Sequence, residues 1–181
     1  MGRNYSPAGV EKIIGRLRSV REDPFIACDI IAAFPGESGE DFEETRLFCE
    51  RAGFSWIHAF PFSRRPGTPA YNYGGRVNER EAGRRVAALT RLAHEGRRSY
   101  LDRWKGRELE AVVEAGKKRS GAFLSAVSEN YLKLLVEFDS ARIGNLPTPA
   151  PGSLIRCLVR EEITKDKSFD ALAGFSGLVQ D

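Results

Sequence analysis

The stretch "IIAAFPGESGEDFEET", residues 30–45, passes from an apolar run through Phe34, Pro35, Gly36 and Glu37 into a polar segment with helix signals. Ser38 followed by Asp41 has the spacing of a capping box, which predicts a helix starting near Gly39. Phe42, Thr45, Phe48, Cys49 and Ala52 form its buried stripe, and Gly53 supplies the stop. Upstream, "FIACDIIAAF" is an almost unbroken apolar run between breakers, which predicts a strand of a parallel sheet buried on both faces. Asp29 interrupts it, either as hydrogen-bonded structure or as a carboxylate turned toward a ligand. A strand that ends in Gly and leads into a capped helix offers backbone amides to a ligand.

Reading outward, Val10, Ile13, Ile14, Leu17 and Val20 predict an amphipathic helix over residues 7–22. "FSWIHAFPF", residues 54–62, has the aromatic and β-branched content of a second strand. The order helix, strand, helix, strand with short connections predicts an α/β unit with a parallel sheet. "SRRPGTPAYNYGG", residues 63–75, then reads as an ordered loop at the same sheet end as Pro35-Gly36, since both follow strands. Asn78 with Glu81 caps a long helix whose seam is Ala82, Val86, Leu89, Ala93, Gly96 and Tyr100. Its other faces carry Arg80, Arg84, Arg85, Arg91, Arg97, Arg98 and Arg103. These arginines form either a solvated basic face or a contact for a phosphate backbone.

From Gly106 the texture changes. "RELEAVVEA", "AFLSAVSE", "YLKLLVEF" and "SLIRCLVREE" are short alternating runs separated by turn residues, the spacing of a small all-β sandwich or barrel. The boundary falls at about Trp104 to Arg107. The residues from Ala173 onward read as a frayed tail.

Composition narrows the function classes. The 181 residues are 41% apolar, enough for a core, and the formal charge of +3 does not itself announce a nucleic-acid partner. The charge is uneven: residues 76–107 hold ten Lys/Arg against four Asp/Glu. Cys28, Cys49 and Cys157 are too dispersed for CxxC-type metal ligation and read as inert thiols. No apolar stretch reaches membrane-spanning length. The odd cysteine count and the absence of a signal-like start lead to the expectation of a cytoplasmic protein. His58 and His94 pair with no Ser or Cys in a nucleophilic arrangement, and neither a Walker loop nor GxGxxG is present. The residues therefore nominate no catalytic group and no metal ligand.

What remains is a ligand-facing edge made by "FPGE" and "FPFSRRPGTPA". Gly36 would let backbone approach a ligand, and Glu37 would accept hydrogen bonds from an amine or ribose hydroxyls. The alternative is two tight turns with incidental charge. In the β-rich part, Lys117, Lys118 and Arg119 cluster in a turn, while Asn130, Tyr131 and Lys133 combine charge with an aromatic face, as RNA binders do.

"DIIAAFPGESGEDFEET" followed by "GFSWIHAFPFSRRPGTPA" resembles the C-terminal part of the radical SAM domain of the methylthiotransferases. The all-β remainder resembles their TRAM domain. The resemblance runs through essentially the whole chain, beginning with "MGRNYS", which is similar to the family's Met-x-Arg-x-Tyr segment. "IHAFPFSRRPGTPA" and "SENYLKLLV" look most like the branch acting on N6-threonylcarbamoyladenosine next to the tRNA anticodon; branches acting on isopentenyladenosine and on ribosomal protein S12 are near alternatives.

The resemblance implies an α/β plus all-β chain. Residues 1–104 would be the C-terminal piece of a partial (β/α) radical SAM barrel, and residues 105–181 a small OB-like TRAM β-barrel that holds tRNA. It implies that Phe34, Pro35, Gly36 and Glu37 lie at the edge of an S-adenosylmethionine pocket. His58, Phe60, Pro61 and Ser63 would line the adenine side, with Arg64, Arg65 and Thr68 near the substrate mouth. The reaction implied for a complete enzyme is methylthiolation at C2 of a modified adenosine, with a SAM-derived radical abstracting hydrogen and a second cluster carrying the sulfur.

Two departures stand out. The family has Gly just before Phe-Pro-Gly-Glu where this chain has Ala33, whose methyl either crowds the cofactor or shifts the strand. The chain also lacks the Cys-x3-Cys-x2-Cys triad for a [4Fe-4S] cluster and any N-terminal domain with cysteines for a second one. The expectation is a fragment, inactive alone, whose partners are tRNA and the missing N-terminal part of the same enzyme, with no membrane. The rival expectation is a stand-alone, non-catalytic RNA-binding TRAM protein.

Overall fold

The computed structural model describes residues 4–115, 122–140, 146–163 and 168–179. Its contacts divide the chain into two compact units between Ser99 and Tyr100.

The first unit runs α1 (Pro7–Val20), β1 (Ala27–Ala32), α2 (Gly39–Ala52), β2 (Trp56–Pro61), a 3-10 turn (Pro69–Asn72) and α3 (Glu79–Trp104), whose last turn lies beyond the division. The helix starts follow the residues that predict them. Ser6 Oγ accepts from Gly9 N–H at 3.2 Å. Ser38 and Asp41 cap one another, Asp41 N–H donating to Ser38 Oγ at 3.0 Å and Ser38 N–H to Asp41 Oδ2 at 2.8 Å. Those bonds hold the Asp41 carboxyl below its ordinary pKa. Asn78 Oδ1 accepts from Glu81 N–H at 2.8 Å. Gly53 stops α2 in the left-handed region, at φ 58°.

β1 and β2 pair in parallel, Asp29 opposite His58 and Ile31 opposite Phe60. The core gathers Ile14, Ile26, Ala32, Cys49, Ala52, Phe54, Ile57, Leu89 and Ala93. Gly96 continues that seam for a steric reason. A Cβ there would overlap the Phe54 carbonyl oxygen, inside the 3.0 Å that real Cβ atoms keep.

Four expectations need correction. β1 is covered on one face only: Ala27, Asp29 and Ile31 are exposed, as are His58 and Phe60 beside them. The helices pack mainly on the Ile57 side, and the other side stays largely open apart from the contact of Trp56 with His94 and the loop that faces Ile31 and Phe60. The stripe of α1 is likewise only half used, with Ile14 buried but Ile13 58% and Val20 74% exposed. The helix itself ends at Val20 rather than at residue 22. Arg85, placed by its type on the basic face of α3, is buried at 6% exposure.

The second unit is a closed barrel of β3 (Glu108–Val113), β4 (Phe123–Ser128), β5 (Lys133–Glu137), β6 (Leu154–Glu162) and β7 (Ala171–Leu178) in the order β3-β4-β5-β7-β6. Leu109, Ala111 and Val113, Leu134 and Val136, and Ile155, Cys157 and Val159 alternate into its interior. The tail expected from Ala173 is instead most of β7, parallel to β5 and antiparallel to β6, and it closes the barrel. Its Ala and Gly content carries little strand propensity, which hides it from the sequence. Those small residues have a use: Arg160 lies across Gly174, its Nη2 2.5 Å from where a Cβ would stand, and reaches Glu137 Oε2 at 2.6 Å.

Candidate ligand-binding site

Both strands of the first unit end in loops on the same side, and between these loops lies a cavity of about 990 Å³. Its wall is mainly apolar and aromatic: Ile31 from β1, Phe60 and Pro61 from β2, then Phe34, Phe62, Pro69, Ala70 and Tyr73. Ser63, Thr68 and Arg65 add the polar groups. The carboxyl ends of parallel strands are where α/β folds hold ligands, and an aromatic wall with few polar groups suits a planar, partly apolar molecule.

The wall is braced by rings. Phe34 meets Phe62 edge-on at 5.1 Å and Tyr73 at 6.1 Å, so the loop after β1 packs directly on the loop after β2. Phe62 N–H donates to Ala32 O at 2.8 Å, carrying the ladder one residue past the strands.

The turn at residues 33–37 is held by backbone and ion pairing together. Gly36 takes φ +88°, and its N–H donates to Gly75 O at 2.8 Å; a Cβ at Gly75 would stand 3.2 Å from that nitrogen. Gly75 thus lets the two backbone segments touch, while Gly36 supplies the positive φ of the turn. Ala33 also takes positive φ, +62°, a conformation that costs an L-residue roughly 1–2 kcal/mol. Its N–H donates to Glu37 Oε2 at 2.6 Å, and the same oxygen receives Arg85 Nη1 at 2.6 Å. Arg85 Nη1 also donates to Glu37 O, Nε to Glu81 Oε1, and the guanidinium lies 5.3 Å over the Phe42 ring. Burial opposes the charge on Arg85, but its bonds to Glu37 and Glu81 prevail and raise its pKa. Glu37 therefore spends one oxygen tying the turn to α3.

The residues expected at the cofactor edge separate accordingly. Phe34, Phe60, Pro61 and Ser63 line the cavity; Pro35, Gly36 and Glu37 shape the turn behind Phe34. His58 lies outside the wall, accepting from Trp56 Nε1–H at Nδ1 (3.2 Å) and stacked toward Phe60 at 6.4 Å. Of the substrate-mouth residues, Arg65 and Thr68 line the cavity. Arg64 is turned away: it donates to Tyr73 O at 3.1 Å and lies 5.7 Å over Tyr71, with Nε buried and without a partner among the described residues. Sequence reasoning passed over Ile31 and Tyr73, although the alternation of β1 and β2 would have placed Ile31 beside Phe60; Phe62 falls within the stretch His58 to Ser63 expected on the adenine side. Nothing in the sequence marks Arg85.

In the barrel unit, Lys117, Lys118 and Arg119 lie outside the described residues. Asn130 is buried, accepting from Ser128 Oγ, and its Nδ2 has no partner among the described residues. Tyr131, at φ +63°, is 68% exposed at the tip of the same turn. The Lys133 backbone pairs with Asp170. On α3, Arg85, Arg97 over Phe25 and Arg103 over Tyr100 are engaged with the protein itself, and Arg84 pairs with Glu81 Oε2 at 3.4 Å, so the basic residues of this helix do not form one uncommitted face.

Among the described residues no three metal-ligating side chains come together, and no helix is long and apolar enough to cross a membrane. The three cysteines are free thiols, and burial pushes their pKa up, to about 12 for Cys28 and about 11 for Cys49 and Cys157. Such thiols do not fit the ligand set of an iron–sulfur cluster. The cavity, by contrast, has the aromatic wall and few polar groups that suit a planar ring.

No family model matches the chain. The chain is 48% identical over 134 residues, 74% of its length, to the threonylcarbamoyladenosine tRNA methylthiotransferase of Treponema pallidum. It is 35% identical over 179 residues, 97% of its length, to the tRNA-2-methylthio-N(6)-dimethylallyladenosine synthase of Kineococcus radiotolerans. To the ribosomal protein uS12 methylthiotransferase of a Thermotoga species it is 38% identical over 124 residues, 68% of its length. The matches cover 27%, 34% and 28% of those relatives, so the chain spans about a third of their length or less.

Proposed function

From the premise that the chain belongs to the radical SAM methylthiotransferase family, we propose that it is the rear portion of a tRNA methylthiotransferase. In this reading it contributes one wall of the S-adenosylmethionine and nucleoside site together with an RNA-holding barrel. The observation that carries it is the aromatic cavity at the carboxyl ends of β1 and β2, built from the two motifs of a segment 48% identical to a threonylcarbamoyladenosine tRNA methylthiotransferase.

On this reading S-adenosylmethionine, when bound, supplies the methyl group, and the chain's own residues bind and orient. Phe34, Phe60 and Phe62 take a planar ring by stacking. Ser63 and Thr68 offer hydroxyls. Glu37 and Arg85 fix the turn that presents Phe34. The uncovered face of β1 and β2, with Ile31 38% and Phe60 50% exposed, fits a sheet whose remaining strands come from outside these residues. The cluster thiolates would come from there too, and the residues of this chain alone would not methylthiolate. In the barrel, Tyr131 and Lys133 serve RNA by stacking and charge. The substrate assigned is threonylcarbamoyladenosine next to the anticodon, and the compartment the cytoplasm.

Sequencing the gene upstream of the Met1 codon tests this. An in-frame Cys-x3-Cys-x2-Cys with no intervening stop is the expected result. A stop codon directly upstream would overturn it in favour of a stand-alone RNA-binding protein.

A further inference from the structure

The outside of the barrel carries a face that its own fold leaves uncovered. Along β3 and β6 the inward residues fill the barrel, while Glu108, Glu110 and Val112 from β3 and Leu154, Arg156 and Leu158 from β6 point out. Outward positions on an antiparallel sheet are ordinarily polar. Here Val112 is 46% and Leu154 39% exposed, and the register sets them opposite one another. Val127 of β4 stands on the far side of Val112, so the apolar row crosses three strands. One step along, Glu110 is opposite Arg156, and neither has a hydrogen-bond or ion-pair partner among the described residues. β7 keeps this edge low: beside Arg156 it places Gly177, where an added Cβ would find nothing within 4 Å.

This face is complementary to itself. A two-fold axis laid along the strands, midway between β3 and β6, carries each residue onto the position of its cross-strand neighbour. The partner's Leu154 then lies over Val112 and the partner's Arg156 over Glu110, each pair made twice. We propose that two copies of this chain pair through the outer face of β3 and β6, with the apolar row buried between them and two Glu110–Arg156 ion pairs across the interface. The charges favour this occupant over nucleic acid. Glu108 and Glu110 would meet a phosphate backbone with like charge, whereas a second copy brings each Glu110 carboxylate a guanidinium. The face is narrow, and interfaces of small area are weak and exchanging, so the pair has a dissociation constant of roughly 10–100 μM.

The test is sedimentation of the 181-residue chain over a concentration series, for the wild type, for Glu110→Arg, for Arg156→Glu, and for an equal mixture of the two variants. Both side chains point away from the barrel interior, so the variants keep the fold, checked by circular dichroism. The wild type is expected to dimerise. Each variant alone sets like charges against one another twice across the axis and should dimerise about tenfold or more weakly. In the mixture every cation again meets an anion, so a heterodimer should form about as tightly as the wild-type pair. Ion pairing within one chain cannot produce that recovery. A monomeric wild type, variants that associate as strongly as the wild type, or a mixture no more associated than its components would each overturn the proposal. A monomeric wild type whose hold on an RNA stem-loop is weakened by Arg156→Glu would overturn it in favour of RNA as the occupant.

Discussion

Replacing Gly96 by alanine puts one methyl group where α3 passes the backbone at Phe54. The added carbon would overlap the Phe54 carbonyl oxygen, so α3 and the segment leading into β2 must part by about 1 Å, as over-packed cores do. The obstacle is backbone, which no rotamer change relieves, and the cost lies at the upper end of the over-packing range, about 3 kcal/mol. Alanine returns about 1 kcal/mol of helix propensity. The net expectation is destabilisation of the first unit by about 2 kcal/mol, a fall of roughly 10 °C in its melting temperature. Gly83, on the same helix with nothing within 4 Å of its would-be Cβ, is the control: Gly83→Ala should stabilise by about 0.5–1 kcal/mol. The assay is urea unfolding followed by the fluorescence of Trp56, which contacts His94 on α3 at 5.7 Å, in a Trp104→Phe background. Equal effects of Gly96→Ala and Gly83→Ala would refute the close approach, and with it the path of α3 that delivers Arg85 to Glu37.

Other outcomes follow from the ligand-side turn and the thiols. Glu37→Gln leaves Arg85, 6% exposed, facing a neutral amide; the first unit should lose about 2–3 kcal/mol, measured by urea unfolding, and Glu81→Gln, at the more exposed partner, should lose less. Ala33→Gly relieves the left-handed strain and should leave stability unchanged or raise it by up to about 1 kcal/mol, whereas Ala33→Val should lower it; a loss on Ala33→Gly would contradict the assigned backbone. The raised thiols predict that iodoacetamide at pH 8 leaves Cys49 and Cys157 unmodified in the folded chain and labels them in urea, read by mass spectrometry. Because their folded pKa values, about 11, lie above the ordinary thiol value of 9, the stability they contribute is full below pH 9 and is lost as pH rises toward 11.

Local signals in the sequence located the helices well. Ser38 with Asp41, Asn78 with Glu81 and Gly53 each act within four residues of themselves, and each sits where its spacing places it. The alternation of Leu109, Ala111 and Val113 marked a barrel strand for the same reason. What escaped depended on partners distant in the chain. Periodicity shows that Ile13 and Ile31 lie on apolar faces, but not whether anything covers those faces. β7 is specified by its neighbours β5 and β6, which do not show in "ALAGFSGL". Arg85 reads as one more arginine of a basic helix until the turn 48 residues earlier brings Glu37 to it. At the candidate site, "FPGE" and "SRRPGTPA" were legible as strand-end loops, yet which members face the cavity and which brace it was decided by ring contacts and by the positive φ of Ala33.

The central claim is that this chain belongs to an enzyme that methylthiolates an adenosine beside the tRNA anticodon. Its most direct test is mass spectrometry of tRNA nucleosides from the source cells with and without the gene. The account predicts that deletion abolishes 2-methylthio-N6-threonylcarbamoyladenosine and leaves its unthiolated precursor in its place. Unchanged methylthio nucleosides after deletion would contradict it.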